Sequence, residues 1–214
     1  MAGITRNPPA PPVDPAILAA FREAATATIS DNLDRLPGAV GLRPFHRGGR
    51  LLGTALTVQV RAGDNLAIHQ ALEEARPGDV LMVDGGGDAS RALVGDIMKA
   101  IAESRGVAGF VIDGAIRDVA AFAASDFPCY ARAAIHRGPY KVGPGTINGP
   151  VSVGGWIVNP GDVVVGDADG VVTFPPALAP TLIEAVRAQD AREAEALRMI
   201  REGRYDGRYA RSPG

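Results

Sequence analysis

Cysteine and lysine are scarce in this chain of 214 residues, and each scarcity removes a class of chemistry. Cys129 is the single cysteine, so an intramolecular disulfide and a cysteine-based zinc site are excluded. Lys99 and Lys141 are the only lysines, and a Schiff-base mechanism, which needs a lysine in an apolar pocket, is therefore poorly supplied. All the other basic residues are arginines.

Strong net charge and long apolar runs are lacking as well. A formal net charge of −2 argues against broad binding to nucleic acid. No apolar run approaches the roughly 20 residues of a membrane span. The proline-rich stretch of residues 1–13 has no apolar core of the kind found in signal peptides. We therefore expect a cytoplasmic protein with neither nucleic acid nor a membrane as its partner, and with a flexible segment at residues 1–13.

What the chain does contain is typical of a globular protein with many turns. Hydrophobic residues make up 46% and charged residues 21%, which suits a packed core. The chain has 27 glycines and 17 prolines, whereas only 5% of its residues are aromatic. This composition favours short strands and tight turns over a helical bundle. We expect one domain over residues 14–203, followed by a flexible tail at 204–214.

The order of hydrophobic segments predicts an α/β domain with a β-α-β unit at its centre. That unit consists of a strand at 80–83, a helix at 95–104 and a strand at 107–112 that ends at Asp113. The other helices are expected from residue 15, at 31–36, 65–75, 118–124 and 179–202, and the other strands at 51–60, 129–132, 146–153, 156–158, 163–165 and 171–174.

Two Pro-Gly-Asp turns, at 77–79 and 160–162, each lead into an apolar strand that is followed by an aspartate. The two segments are either unrelated turns or equivalent strands of one compact core.

Charged side chains cluster at one predicted edge of the sheet. If the β-α-β unit has parallel neighbouring strands, their ends bring together Asp96, Asp113, Arg117 and Asp118 near a helix that begins at Gly95. Free N–H groups at a helix start bind carboxylates, and an arginine binds a carboxylate through two hydrogen bonds. Aspartates are suitable ligands for a hard divalent ion. These features indicate a pocket for an anionic substrate with a metal, although helix caps and structural Arg-Asp pairs would give the same pattern.

The spacing of Gly95-Asp96 and Arg117-Asp118 resembles the signature of the class II pyruvate aldolases that act on 4-hydroxy-4-methyl-2-oxoglutarate and 4-carboxy-4-hydroxy-2-oxoadipate. These enzymes share a superfamily, the RraA-like proteins, with the regulator of ribonuclease E activity. The resemblance covers most of the chain and includes the segments 29–31, 77–80, 113–118 and 167–172. It implies a single α/β domain with a β/β/α swivelling-type core, short strands and a long C-terminal helix. It also implies a homotrimer or hexamer with sites at subunit contacts.

The resemblance assigns roles to the matching residues. Asp118 is expected to bind Mg²⁺ or Mn²⁺, and Arg117 to hold the keto-acid end of the substrate and to polarise the developing enolate. Asp96 is expected to position or deprotonate a water that serves as acid and base. In the aldolases, a glutamate from a neighbouring subunit also reaches the metal, and Glu193 or Glu195 could fill that place.

The resemblance also implies a binding site for the carboxylate of a pyruvyl group. This site is formed by the backbone N–H groups of Gly95, Asp96, Ile97 and Met98. We therefore expect a metal-dependent lyase that cleaves a 4-hydroxy-2-oxo diacid to pyruvate, with oxaloacetate decarboxylation as a side activity. The alternative is a non-catalytic regulator that binds a ribonuclease or another protein. The acid at position 96 favours the enzyme, because the ribonuclease regulator lacks an acid there.

Overall fold

The structure, a computed structural model, describes residues 3–207 and residue 209. Its helices are α1 (Pro15–Ala20), α2 (Thr26–Asp31), α3 (Leu66–Glu74), α4 (Asp96–Ser104), α5 (Val119–Ala123) and α6 (Ala179–Arg201). Its strands are β1 (Ile4–Arg6), β2 (Arg43–Pro44), β3 (Leu51–Val60), β4 (Asp79–Asp84), β5 (Ala92–Val94), β6 (Gly109–Ile116), β7 (Cys129–Ala134), β8 (Gly145–Ile147), β9 (Val151–Val153), β10 (Trp156–Val158), β11 (Val163–Gly166) and β12 (Val171–Phe174). In this described part of the chain, no helix is both long and apolar enough to cross a membrane.

One mixed sheet is the centre of the fold. Its strand order is β1-β8-β3-β4-β6-β7-β2, and β3, β4, β6 and β7 run parallel to one another. The long strand β3 pairs with β4 along one edge, while its other edge is shared by β11 over the first half and β8 over the second. Both of these partners are antiparallel to β3, so the sheet divides there into two branches.

The central strands are buried on both faces, because each face is covered by a different layer. In β4, Leu81 and Val83 face the core beneath α3 and α4, whereas Val80 and Met82 face the hairpin of β9 and β10. The alternation follows from the two-residue period of a strand. The result is helices on one side of the sheet and a small hairpin on the other, in agreement with the β/β/α arrangement that the family resemblance implied.

The long C-terminal helix α6 packs at another place, against α1, α2 and the pair β11–β12. Leu182 and Val186 of α6 are buried there beside Phe21, Ile29 and Phe174. The prediction of a mixed α/β domain with short strands and a long C-terminal helix is therefore confirmed.

Two predicted elements are wrong. The helix expected at 31–36 lies earlier, at Thr26–Asp31, and turns follow it in which Asp34 and Arg35 adopt left-handed φ angles. Tertiary contacts outweigh the low helix propensity of the threonines, since the backbone N–H and hydroxyl of Thr26 both donate to Asp167. The strand expected at 146–153 is two strands, because Asn148 adopts φ 58° in a turn that ends β8.

The N-terminal boundary also differs from the expected start at residue 14. Residues Ile4–Arg6 form β1 and pair in parallel with β8, and the N–H of the buried Val13 donates to Thr54 Oγ1 at 2.9 Å. These pairings attach the segment expected to be flexible to the sheet. Of the expected tail, residues 208 and 210–214 lie outside the described residues.

The two Pro-Gly-Asp turns have the same geometry. Gly78 and Gly161 adopt φ angles of 85° and 87°, and each aspartate accepts a hydrogen bond from the N–H three residues before it. The strands that follow, β4 and β11, pair with opposite edges of β3. They are thus two strands of one core, although they run in opposite directions.

Candidate active site

The start of α4 and the end of β6 meet at one edge of the sheet. Strand β5 pairs in parallel with the last residues of β6, with Val94 opposite Ile116, and the Arg117 N–H donates to the Val94 carbonyl at 3.0 Å. The chain enters α4 just after β5, at Gly95, and leaves β6 through Arg117 and Asp118. The topology therefore joins two segments that are 22 residues apart in sequence.

Asp118 caps the N-terminus of α4 from outside that helix. Its Oδ2 accepts a hydrogen bond from the Asp96 N–H at 3.0 Å, and Arg117 Nε lies 3.6 Å from the same oxygen. Asp118 has a φ of 58°, a left-handed conformation in which aspartate is one of the better tolerated side chains. A carboxylate is favoured at this end of a helix by the helix dipole. A guanidinium, a carboxylate and a helix start thus share one place.

Gly95 makes this approach feasible because it has no side chain. A Cβ at position 95 would lie 2.5 Å from Asp118 Oδ2 and 3.0 Å from Arg117 Cγ. The backbone at Gly95 is extended, with φ −155°, so its conformation is open to any residue. The requirement for glycine is therefore one of space, and it is set by the two charged side chains.

A pocket of about 90 Å³ lies beside the guanidinium. It is lined by Asn65, His69, Ala92, Leu93, Val94, Gly95, Ile97, Met98, Arg117, Pro139 and Lys141. The N–H of Lys99 makes the first bond within α4, to the Gly95 carbonyl at 3.0 Å, so the N–H groups of Ile97 and Met98 have no carbonyl partner in the helix. With Lys141 and the guanidinium, these groups give the pocket an electropositive wall that suits carboxylates.

Asn65 differs from these hydrogen-bond donors, because its side-chain oxygen is an acceptor. Its Nδ2 donates to the Leu93 carbonyl at 2.9 Å and contacts Met98 Sδ at 3.4 Å. This fixes the amide so that Oδ1 is the remaining acceptor. The residue is 3% exposed, and Oδ1 has no hydrogen-bond partner within the described residues.

Lys141 is held at the pocket by a buried aspartate. Asp64, 1% exposed, accepts hydrogen bonds from the N–H groups of Val142 at 2.8 Å and Gly143 at 3.0 Å through Oδ2. The Asn65 N–H donates to the Tyr140 carbonyl at 3.0 Å. The loop that carries Lys141 is therefore fixed to the start of α3, although the lysine side chain itself is exposed.

His69 lies one turn after Asn65 on α3. Partial burial lowers the pKa of His69, and the nearby charge of Lys141 lowers it further, while Glu73 acts in the opposite direction. The imidazole is therefore neutral around pH 7 and leaves the positive charge of the wall to its arginine and lysine.

Most of the predicted site residues lie together. Gly95, Ile97, Met98 and Arg117 line the pocket, with Ile97 73% exposed and Met98 buried. Asp96 is the first residue of α4, and its contact with Asp118 runs through its backbone N–H, which is therefore already used. Sequence reasoning missed Asn65 as a site residue. A polar residue just before the apolar face of α3 was the available signal, but it reads equally well as a helix cap.

The placement of Asp113 at the site is wrong. Strand β6 continues to Ile116, so Asp113 lies inside the strand and faces the hairpin of β9 and β10. It is 5% exposed, pairs with Arg132 and accepts a hydrogen bond from the Gly154 N–H at 2.8 Å. Its role is to attach the hairpin to the sheet.

Neither Glu193 nor Glu195 lines the pocket of its own chain. Both lie on α6, where Glu193 accepts hydrogen bonds from Gln189 at 2.9 Å and Tyr209 at 2.8 Å, and Glu195 pairs with Arg198 at 2.7 Å. A contribution from either residue to a neighbouring subunit's site stays a prediction.

The donor set limits which metal could bind. Among the described residues, no group of three or more histidine, cysteine, aspartate or glutamate side chains could hold an ion. Mg²⁺ commonly binds one or two protein carboxylates and completes its shell with water and substrate, and Mn²⁺ accepts similar oxygen ligands. The half-exposed carboxylate of Asp118 fits that mode, whereas a closed zinc site does not fit.

The chain is similar to proteins of one family. The RraA-like family, described as Aldolase/RraA, matches residues 26–173. A Halalkalibacterium halodurans protein named "Putative 4-hydroxy-4-methyl-2-oxoglutarate aldolase" is 42% identical over 172 residues, which are 80% of this chain and 82% of the relative.

The solved structures that share the fold include two RraA proteins. Streptomyces coelicolor RraAS2, described as an unusual member of the RNase ES inhibitor RraA protein family, is 27% identical and has a TM-score of 0.80 over 87% of this chain and 98% of its own. The RNA-processing inhibitor RraA from Thermus thermophilis is 33% identical, with a TM-score of 0.65 over 72% of this chain and 93% of its own. Together with the fold and the Gly95 to Asp118 arrangement, these similarities show that the chain belongs to the RraA-like family.

Proposed function

We propose that this protein is a divalent-metal-dependent lyase, a class II pyruvate aldolase. It cleaves a 4-hydroxy-2-oxo diacid of the 4-hydroxy-4-methyl-2-oxoglutarate type by a retro-aldol reaction, and it decarboxylates oxaloacetate as a side activity. The observation that carries the proposal is the close grouping of Arg117, Asp118 and the start of α4, of which Arg117 and the helix start line the pocket while Asp118 lies next to both. The similarity to a relative that is named as an aldolase supports it.

The reaction breaks the bond between C3 and C4 of the substrate. The C4 hydroxyl loses its proton, C4 becomes a carbonyl, and the electron pair of the broken bond moves onto the 2-oxo group to form pyruvate enolate. Protonation of the enolate at C3 then gives pyruvate. Oxaloacetate decarboxylation forms the same enolate, with CO₂ as the leaving group. One site can serve both reactions, because the charge that must be stabilised is the same.

Arg117 and the helix start supply fixed positive groups for this charge. The guanidinium lines the pocket and is free to orient, since it is 43% exposed and its Nε is 3.6 Å from Asp118. It holds the 2-oxo acid and stabilises the enolate oxygen, a contribution on the order of 10²–10³ in rate for a single donor. The N–H groups of Ile97 and Met98 receive the substrate carboxylate.

Asp118 would hold Mg²⁺ or Mn²⁺, with water and substrate as its other ligands. When bound, such an ion withdraws electrons from the 2-oxo group and so lowers the barrier to enolate formation. Asp96, exposed at the first position of α4, positions or deprotonates the water that moves protons to and from the substrate. The scheme needs neither lysine nor histidine as a base, in agreement with the small number of lysines.

A coupled assay for pyruvate tests the proposal. The purified protein is given 4-hydroxy-4-methyl-2-oxoglutarate or oxaloacetate with Mg²⁺ or Mn²⁺, with and without excess chelator. We expect pyruvate only with the metal. Arg117→Ala and Asp118→Ala should lower the rate by about 10²-fold or more, while Arg22→Ala, an exposed arginine on another part of the surface, should not.

The second candidate function is that of a non-catalytic regulator, which the likeness to the two RraA proteins favours. It predicts no pyruvate from any of these acids, and it predicts inhibition of a ribonuclease when the protein is titrated into an RNA-cleavage assay. Pyruvate formation that withstands Arg117→Ala and Asp118→Ala would contradict the site proposed here.

We also propose that the protein assembles as a homotrimer or hexamer. Leu197 and Ile200 on α6 are 50% and 51% exposed, which supports a subunit contact on that helix. Light scattering after size-exclusion chromatography measures the mass, and a monomer at micromolar concentration would contradict this part of the proposal.

A further inference from the structure

We infer that Asn65 recognises a hydroxyl group of the substrate, so that the pocket selects hydroxylated oxo acids over analogues without that hydroxyl. The inference rests on the proposed function, because it concerns the same pocket. It assigns a specificity-determining role to a residue outside the group of Arg117, Asp118 and the α4 start.

The orientation of the Asn65 amide is fixed by the protein. Its nitrogen donates to the Leu93 carbonyl at 2.9 Å, so the opposite end of the amide has to be Oδ1. That oxygen is buried and belongs to a residue that lines the pocket. It has no hydrogen-bond partner in the described part of the chain. A buried acceptor without a partner is costly, and a bound ligand with a suitably placed donor removes that cost.

The charges around Asn65 identify the donor. Arg117, Lys141, Ile97 and Met98 line the same pocket, and the two cations and the N–H groups at the start of α4 are all donors that fit carboxylates. A ligand that carried only carboxylates would leave Oδ1 unpaired. An ammonium group would satisfy Oδ1 but would meet two cations. A neutral hydroxyl satisfies the acceptor without this repulsion, so the complementary ligand is an anionic hydroxy acid.

An amide oxygen is a very weak base, so Asn65 binds and orients the hydroxyl and does not remove its proton. The residue should therefore matter for hydroxy acids and not for oxaloacetate decarboxylation, in which no C4 hydroxyl takes part. A purely structural role, through the bond to Leu93, would affect both reactions equally. The difference between the two substrates separates these explanations.

The first experiment compares kcat/KM for 4-hydroxy-2-oxoglutarate and oxaloacetate in the wild type, Asn65→Ala and Asn65→Leu. Leucine has the same branched shape and number of side-chain heavy atoms as asparagine, so it keeps the position filled if the alanine variant does not fold. We expect kcat/KM for the hydroxy acid to fall about tenfold and that for oxaloacetate to stay within about twofold. Asn7→Ala, at an exposed position, is the matched control. Equal losses on both substrates would overturn the inference.

The second experiment separates this inference from the proposed function. If the wild type forms pyruvate from neither acid, the aldolase proposal fails, but binding can still be measured by calorimetry in the presence of Mg²⁺. The ligands are 4-hydroxy-2-oxoglutarate and 2-oxoglutarate, which differ only in the hydroxyl. About tenfold tighter binding of the hydroxylated acid, lost in Asn65→Leu, supports the role of Asn65. Equal affinities in the wild type, or a preference that survives the substitution, refute it.

Discussion

Replacing Gly95 with alanine should lower activity by about 10²-fold and leave the fold intact. The new methyl carbon would lie 2.5 Å from Asp118 Oδ2, whereas an ordinary contact begins at 3.4 Å. The carboxylate would have to move by about 1 Å, and a misplacement of that size costs on the order of 10²-fold in rate. Arg117 would be displaced as well, since its Cγ and Nε lie 3.0 and 3.2 Å from the same methyl carbon.

The expected effect on stability is small for two reasons. Alanine is compatible with the extended backbone at this position, so no conformational strain is added. Asp118 and Arg117 are 45% and 43% exposed, so both can rotate into solvent. The main loss is the hydrogen bond from the Asp96 N–H, a helix cap contact worth about 1 kcal/mol. In a domain of this size, such a loss lowers the melting temperature by roughly 2–4 °C.

The assay is pyruvate formation with saturating Mg²⁺ or Mn²⁺, together with a thermal melt of the same sample. Gly48→Ala is the control, because a Cβ at that exposed glycine would have no atom within 4 Å and its φ is not positive. We expect the control to match the wild type in both measurements. Wild-type kcat/KM in the Gly95 variant would show that the Asp118 position is irrelevant to turnover, and a collapse of the melting temperature would show that Gly95 serves the fold.

Three further results are expected. Arg117→Lys keeps the positive charge but loses the planar guanidinium, which can form two parallel hydrogen bonds, so kcat/KM should fall by about tenfold or more. Wild-type kinetics would argue against such bidentate binding of the keto acid. Lys141→Met should raise KM for the diacids and leave KM for oxo monoacids unchanged, because the lysine ammonium at the pocket matches the second carboxylate of a diacid. Equal changes in KM for both classes of acid would contradict this role. The pKa of His69 is lowered in the folded state, so its contribution to stability is complete above its unfolded pKa of about 6.5 and is lost as pH falls toward the lowered value. Melting temperatures from pH 8 to 5 should therefore decline less in His69→Gln than in the wild type, and parallel curves would contradict the shift.

The sequence predicted the centre of this fold well, because its signals there are local. The apolar runs of β4 and β6, the amphipathic pattern of α4 and the turn residues between them agree with one another. Parallel pairing of adjacent strands then follows from the β-α-β connection. The meeting of Gly95 with Arg117 and Asp118 could be predicted for the same reason, since it depends only on the ends of those elements.

The rest of the pocket depends on contacts that have no local signal. Asn65 immediately precedes α3 and Lys141 lies in the loop before β8, and they meet at the site because Asp64 binds the backbone of that loop. Nothing in the sequence around Lys141 indicates these hydrogen bonds from the loop backbone to Asp64. Likewise, Asp113 looked like the last residue of a strand, whereas pairing with β7 extends β6 beyond it.

Several aspartates use both carboxylate oxygens for hydrogen bonds within the fold, whereas Asp118 uses one. Both carboxylate oxygens accept hydrogen bonds in Asp64, Asp79, Asp84, Asp113 and Asp167. Each of these five carboxylates secures a turn, a loop or the hairpin, so a metal ion at any of them would compete with these hydrogen bonds. Asp118 uses only Oδ2 for its backbone bond to Asp96, and its side chain is half exposed. We therefore expect a divalent ion to bind the second oxygen of Asp118, beside the positively charged pocket, together with an anionic substrate.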